Sequence, residues 1–236
     1  MNDFKRSFMQ NSNIFDRQNP LLRKYGCALK GRVLVLEGII SAGKSTAGIE
    51  LARECERMGV KTKFFPEPLC PPLLKLFLSD QKKYAFVFQT TMLCKRQQIY
   101  REAQRAAEEG FFCIIDRSLH GDYCFAKMHN SNGNISQDEW NTYLRLLKED
   151  SPLHPDYLIY LKVSPSTALS RCAKRDRDGE SAYTADYFEH LCKVYDSVIE
   201  IADSRSSLVL DWNEERVATE IPLHLLERIN DLYKQF

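Results

Sequence analysis

Lys44 and Ser45 close the run Gly38-x4-Gly43-Lys44-Ser45, a spacing that can hold a polyphosphate. The glycines let the backbone curl until successive N–H groups face one anion, and a helix opening there adds roughly half a positive charge. Lys44 is placed to reach the β- and γ-phosphates of a bound nucleotide and Ser45 to offer its hydroxyl to Mg2+. Gly38, Ser41, Ala42, Gly43 and Thr46 complete the cradle. The bland alternative is a glycine-rich turn with a solvated lysine. Glu67 stands between Pro66 and Pro68, which stiffen its backbone. A carboxylate so held can take the proton of an acceptor hydroxyl, a role worth roughly 10²–10⁴ in rate. Asp116 can hold Mg2+ directly or through water, and Arg117 beside it can cover charge on a transferred phosphoryl group. Arg171, Lys174, Arg175 and Arg177 form a basic cluster that reads as a lid over phosphates beside a P-loop. Without one it would read as a solvated face. Gln89 and Arg96 share a helix face with Met92 between them, a set suited to the edge and plane of a nucleobase. Taken singly, Glu67 could be a turn residue and Asp116-Arg117 a surface ion pair.

These residues need elements that deliver them to one place. Arg32 to Leu36 reads as a short apolar strand, and Ala47, Leu51, Cys55 and Met58 repeat at helical spacing after the glycine loop, with Gly59 as the stop. Val60 to Phe65 is a second strand, closed by the turn-like Pro66-Glu67-Pro68 with Pro71-Pro72 close behind. A long helix is expected from about Tyr84 to Glu109, ending at Gly110. Phe111 to Ile115 is continuously apolar, as in a parallel strand buried on both faces. Ser136 and Glu139 form a capping box before a helix with Trp140, Tyr143, Leu144 and Leu147 on one face. Tyr157 to Val163 is a strand, and Ser164-Pro165 opens the next helix. A further helix covers roughly Thr184 to Asp203, Ser207 to Trp212 is the last strand, and Glu214 to Lys234 the last helix. Strands alternating with helices imply an α/β fold with a parallel sheet and right-handed crossovers. Ligands in such sheets sit at the carboxyl ends of the strands, which puts the P-loop, Glu67 and Asp116-Arg117 on one rim.

Within 236 residues nothing marks a linker or a repeat, so a single domain over 31–236 is expected. Residues 1 to about 30, polar and aperiodic, are expected to form an N-terminal arm or an irregular packing segment. A net charge of +1 argues against a nucleic-acid partner. Eight cysteines with no C-x2-C pair fit reduced thiols in a cytoplasmic protein better than a disulfide framework or zinc site. No apolar run approaches membrane-spanning length. Arg6, Arg17 and Arg23 mix with Asp3 and Asp16 and there is no apolar signal core, which argues against a targeting segment.

From about Val33 to Ile199 the chain resembles the deoxynucleoside kinase family, which includes deoxycytidine, deoxyguanosine and mitochondrial thymidine kinases and bacterial deoxyadenosine kinases. The likeness rests on Glu-Gly-Ile-Ile-Ser-Ala-Gly-Lys-Ser-Thr at 37–46, Pro-Glu-Pro at 66–68, Phe88-Gln89-Thr90, Asp116-Arg117-Ser118 and Arg-x3-Arg-x-Arg from Arg171. The resemblance implies a P-loop kinase fold, a five-stranded parallel sheet flanked by helices with a short basic lid at about 171–180, commonly a homodimer. It implies ATP-dependent phosphorylation of a deoxynucleoside 5′-hydroxyl. It makes Glu67 the general base, Gln89 the residue on the base edge, Arg117 the arginine near the 5′ position and Glu180 the partner of the 3′-hydroxyl. Arg171, Arg175 and Arg177 become lid arginines, and Asp122 pairs with Arg96, which favours deoxycytidine and purine deoxynucleosides over thymidine. The chain departs from the family in lacking a tryptophan after Glu67-Pro68, in having Leu78 where many members have a sugar-binding tyrosine, and in having Asp116 where animal members have glutamate. Other readings stay open: a thymidine kinase of the same family, a nucleoside monophosphate kinase such as thymidylate kinase, or a structural subunit without activity. The monophosphate kinases usually place arginine directly before Glu-Pro, where this chain has Pro66.

Overall fold

The computed structural model describes residues 19–149, 155–176, 183–199 and 206–235. Five parallel strands, β1 (Val33–Glu37), β2 (Thr62–Phe65), β3 (Phe112–Asp116), β4 (Tyr157–Lys162) and β5 (Ser207–Asp211), form one sheet in the order β2-β3-β1-β4-β5. The apolar runs of β1 and β3 are buried along their whole length, as expected of central parallel strands. Their residues alternate between two cores. Leu34, Leu36, Phe112 and Ile114 pack with Ala47, Leu51 and Cys55 of α2 (Lys44–Arg57). Val33, Val35, Cys113 and Ile115 pack with Tyr100, Ala103, Ala106 and Ala107 of α4 (Gln81–Glu108).

Other helices follow short capping signals. Asp80 caps the long α4, accepting from Lys83 N at 3.0 Å. The Ser136–Glu139 box forms as expected, with Ser136 N donating to Glu139 Oε2 at 2.8 Å, and opens α6 (Gln137–Glu149). Ser164 caps α7 (Pro165–Arg175), and α8 (Ala185–Ile199) precedes β5.

Four segments differ from the sequence-based expectation. Residues 20–29, expected to belong to an arm, form α1 (Pro20–Leu29), capped by Asn19, with Tyr25, Ala28 and Leu29 buried. Tyr157 Oη donates to Ala28 O at 2.8 Å and fixes that helix to β4. Pro71-Pro72 does not continue the turn. It starts α3 (Pro71–Ser79), because proline's fixed φ and missing N–H suit the first helical turn. A helix not foreseen, α5 (Leu119–Ser131), follows β3 behind the Ser118 cap. The last helix is α9 (Ile221–Tyr233), with proline in its first turn, so residues 214–220 lie outside it.

Among the described residues no helix is long and apolar enough to cross a membrane. All eight cysteines are free thiols.

Candidate active site

The parallel register sets Leu36 beside Asp116 and Glu37 beside Tyr160, so the β1, β3 and β4 ends share one rim. At the end of β1 the chain turns through the P-loop, where Gly43 takes φ 97°, a left-handed conformation that glycine adopts without steric cost. Lys44, the first residue of α2, is buried and donates from Nζ to the carbonyls of Gly38 and Ile39, each at 3.0 Å. Burial and then Arg117 lower its pKa to about 8, against the pull of Asp116, Glu67 and Glu37. Ser45 Oγ donates to Asp116 Oδ2. Asp116 is buried and its Oδ1 has no hydrogen-bond partner, and burial raises its pKa. An orphaned buried carboxylate oxygen beside a hydroxyl is a donor set that fits a hard divalent cation.

From the end of β2, Glu67 enters the same rim. Its Oε1 accepts from Arg117 Nε at 2.6 Å and from Arg96 Nη2 at 2.7 Å. Burial pushes this carboxyl up, but Arg117, Arg96 and Lys44 outweigh it and hold the pKa at about 2. Arg117 follows β3 directly and adopts a left-handed φ of 69°, which swings its side chain back over the P-loop. Its Nη1 donates to Gly38 O at 3.0 Å and to Tyr195 Oη, and its guanidinium lies 4.8 Å over the Phe125 ring. It is buried, so the surface-ion-pair alternative fails for it.

Gln89, Met92 and Arg96 are buried on one face of α4, as their spacing requires. Arg96 Nη1 donates to Asp122 Oδ1, and the Asp122 Oδ2 accepts from Tyr143 Oη at 2.6 Å. One continuous chain therefore runs from α6 through Asp122, Arg96, Glu67 and Arg117 to the P-loop.

The basic cluster is only partly in view, since Arg177 and Glu180 lie outside the described residues. Arg171 is spent on main-chain oxygens, donating to Ala42 O at 3.3 Å, Trp212 O at 2.9 Å, Asn213 O at 3.0 Å and Glu214 O at 3.3 Å. It braces the P-loop instead of standing clear above it. Arg175 is exposed at the last residue of α7. Thr46 is exposed one residue beyond Ser45, and Leu78 packs half-buried against the apolar cluster of Phe77, Ala85 and Tyr143. Three residues of the network went unassigned in the sequence: Glu37, Tyr143 and Tyr195. A carboxylate ending a continuous apolar strand was a readable signal for Glu37. The two tyrosines carry none, because an aromatic on an amphipathic helix looks like ordinary core.

A phosphate-binding loop, a carboxylate pinned by two arginines and a hydroxyl–carboxylate pair at one end of a parallel sheet define a P-loop kinase. The deoxynucleoside kinase family profile matches residues 34–234, and the chain belongs to that family. It is 30% identical over 190 residues to a deoxyadenosine kinase of Dictyostelium discoideum, covering 79% of this chain and 75% of that one. It is 31% identical over 175 residues to a deoxyadenosine/deoxycytidine kinase of Bacillus subtilis, covering 72% of this chain and 77% of that protein. Among solved structures, the deoxyadenosine kinase from M. mycoides with bound dCTP superposes with a TM-score of 0.70 at 30% identity, covering 84% of this chain and 99% of that one.

Proposed function

We propose that this kinase transfers the γ-phosphoryl group of ATP to the 5′-hydroxyl of a deoxynucleoside, in nucleotide salvage, and favours deoxycytidine and purine deoxynucleosides over thymidine. The observation that carries the reading is Arg96, which holds Asp122 with one nitrogen and Glu67 with the other. One guanidinium thus joins a base-reading carboxylate to the carboxylate that faces the acceptor hydroxyl.

Glu67 accepts both arginines on Oε1, so Oε2 remains to take the hydroxyl proton. Arg117 sits between Glu67 and Gly38 O, where it can cover charge spread over a transferred phosphoryl group. Lys44 is held in the P-loop by two carbonyls that a phosphate would replace as its partners. Ser45 and Asp116 would hold Mg2+, which when bound neutralises phosphate charge. Gln89 can donate and accept side by side, matching N3/N4 of cytosine or N1/N6 of adenine. Asp122 adds an acceptor for an exocyclic amino group. Thymine would set O4 against that carboxylate, leaving acceptors unsatisfied at roughly 1–3 kcal/mol, and Arg96 would crowd its methyl. Arg96 can donate to guanine O6 and N7. We further read the protein as cytoplasmic, a homodimer, and without nucleic-acid or membrane partners.

ADP release with each of the four deoxynucleosides under saturating ATP tests the proposal. The expected result is turnover with kcat/KM lowest on thymidine. Highest kcat/KM on thymidine overturns the base assignment, and activity only on monophosphates overturns the choice of acceptor.

A further inference from the structure

Among the described residues, Glu37 is the one fully buried carboxylate at the rim to which the mechanism above gives no role. It ends β1 directly before the P-loop, with no exposed surface. Its Oε1 accepts from Ser118 N at 2.7 Å, Ser118 Oγ at 2.7 Å and Gly121 N at 3.0 Å. These donors are the cap and the first turn of α5, where the helix dipole favours an anion. Its Oε2 accepts from Tyr195 Oη at 3.4 Å, and that same hydroxyl accepts from Arg117 Nη1. The carboxylate therefore reaches Arg117 twice, through the backbone that follows it and through the hydroxyl bound to its guanidinium.

The crowding around this carboxylate is specific. A Cβ on Gly121 would stand 2.6 Å from Glu37 Oε2, 2.7 Å from Tyr195 Oη and 2.9 Å from Arg117 Cγ. Backbone atoms of α5 can approach only because that side chain is absent. Arg117 meanwhile holds a left-handed φ, a strained conformation for a residue with a side chain, which persists only where its surroundings fix it.

We propose that Glu37 is a positioning residue for Arg117: it clamps the β3–α5 turn and the Tyr195 hydroxyl so that the guanidinium stays aimed at the P-loop and Glu67. The proposal rests on the reading that Arg117 acts on the transferred phosphoryl group. Glu37→Gln keeps the shape and one acceptor, but it removes the charge and turns an amide donor toward Tyr195. Tyr195→Phe removes only the hydroxyl.

Steady-state kinetics on Glu37→Gln, Tyr195→Phe, the double variant and Arg117→Lys, each normalised to folded protein by its thermal unfolding transition, test the idea. The expected result is a fall in kcat of tenfold or more for Glu37→Gln and about threefold to tenfold for Tyr195→Phe. Nucleoside KM should stay within about twofold of wild type, and the double variant should be no slower than Glu37→Gln alone, since the Tyr195 hydroxyl is one of the two routes that Glu37→Gln already disturbs. Wild-type kcat in folded Tyr195→Phe or in folded Glu37→Gln overturns the proposal, as does a rise in KM with kcat intact. Tyr195→Phe alone decides the matter if Glu37→Gln yields no folded protein. Wild-type kcat in Arg117→Lys would instead overturn the role given to Arg117.

Discussion

A carboxylate gripped by two guanidiniums is a weak proton acceptor at rest, and Glu67 is such a group. On the proposed function it would collect a proton only as the hydroxyl becomes strongly acidic, late in transfer to a loose transition state. Glu67→Gln should therefore lower kcat by roughly 10²–10⁴ while leaving nucleoside KM near wild type, as steady-state kinetics will show. The same grip has a signature in stability. The carboxyl titrates near 2 in the fold and near 4.5 when unfolded, so its contribution is whole above about pH 4.5 and lost as pH falls toward 2. Acid unfolding of Glu67→Gln should accordingly be flatter across that window. Lys44 works in the opposite range. With a pKa near 8 in the unliganded protein, it loses its charge as pH rises through 8, and kcat/KM for ATP should fall there. Lys44→Ala should abolish turnover at any ATP concentration.

On the proposed function, base choice would belong to the elements, because α4, α5 and α6 each contribute one member of the Arg96–Asp122–Tyr143 chain. Replacing Arg96 by Met together with Asp122 by Ala should move kcat/KM toward thymidine, measured on the four deoxynucleosides. If the cluster at the end of α7 closes over phosphates, Arg175→Ala and Arg177→Ala should each reduce kcat. Normal turnover in both would leave a plain basic face. The sequence made the strand ends legible, since Gly38-x4-Gly43-Lys44-Ser45 and Asp116-Arg117 close apolar runs and Glu67, between two prolines, closes the strand expected over Val60 to Phe65. It hid the helices that begin on ambiguous signals. Pro71-Pro72 looked like turn chemistry although proline is also at home in a first helical turn, and α5 carries Gly121 inside its opening turn, where propensity argues against helix. Glu37 lay inside the recognised motif, but its partners come from residues 118–121 and 195, too far along the chain for any periodicity to connect.

The molecule as a whole is tied together by its two ends. α1 packs on α9 and α9 on α2, so residues near the start and finish of the chain back the phosphate side of the sheet. Tyr25→Ala, which empties a buried aromatic site in α1, should cost about 3 kcal/mol or more in denaturant unfolding, as truncating a buried ring does. Arg171 extends that tie into the site, because one guanidinium holds Ala42 of the P-loop together with three successive carbonyls after β5. Loop and tail should then open as one cooperative unit, since neither can leave without freeing the shared donor. Amide hydrogen exchange at 40–45 and at 212–216 should rise and fall together, and nucleotide binding should slow exchange in the distant tail as much as in the loop it touches.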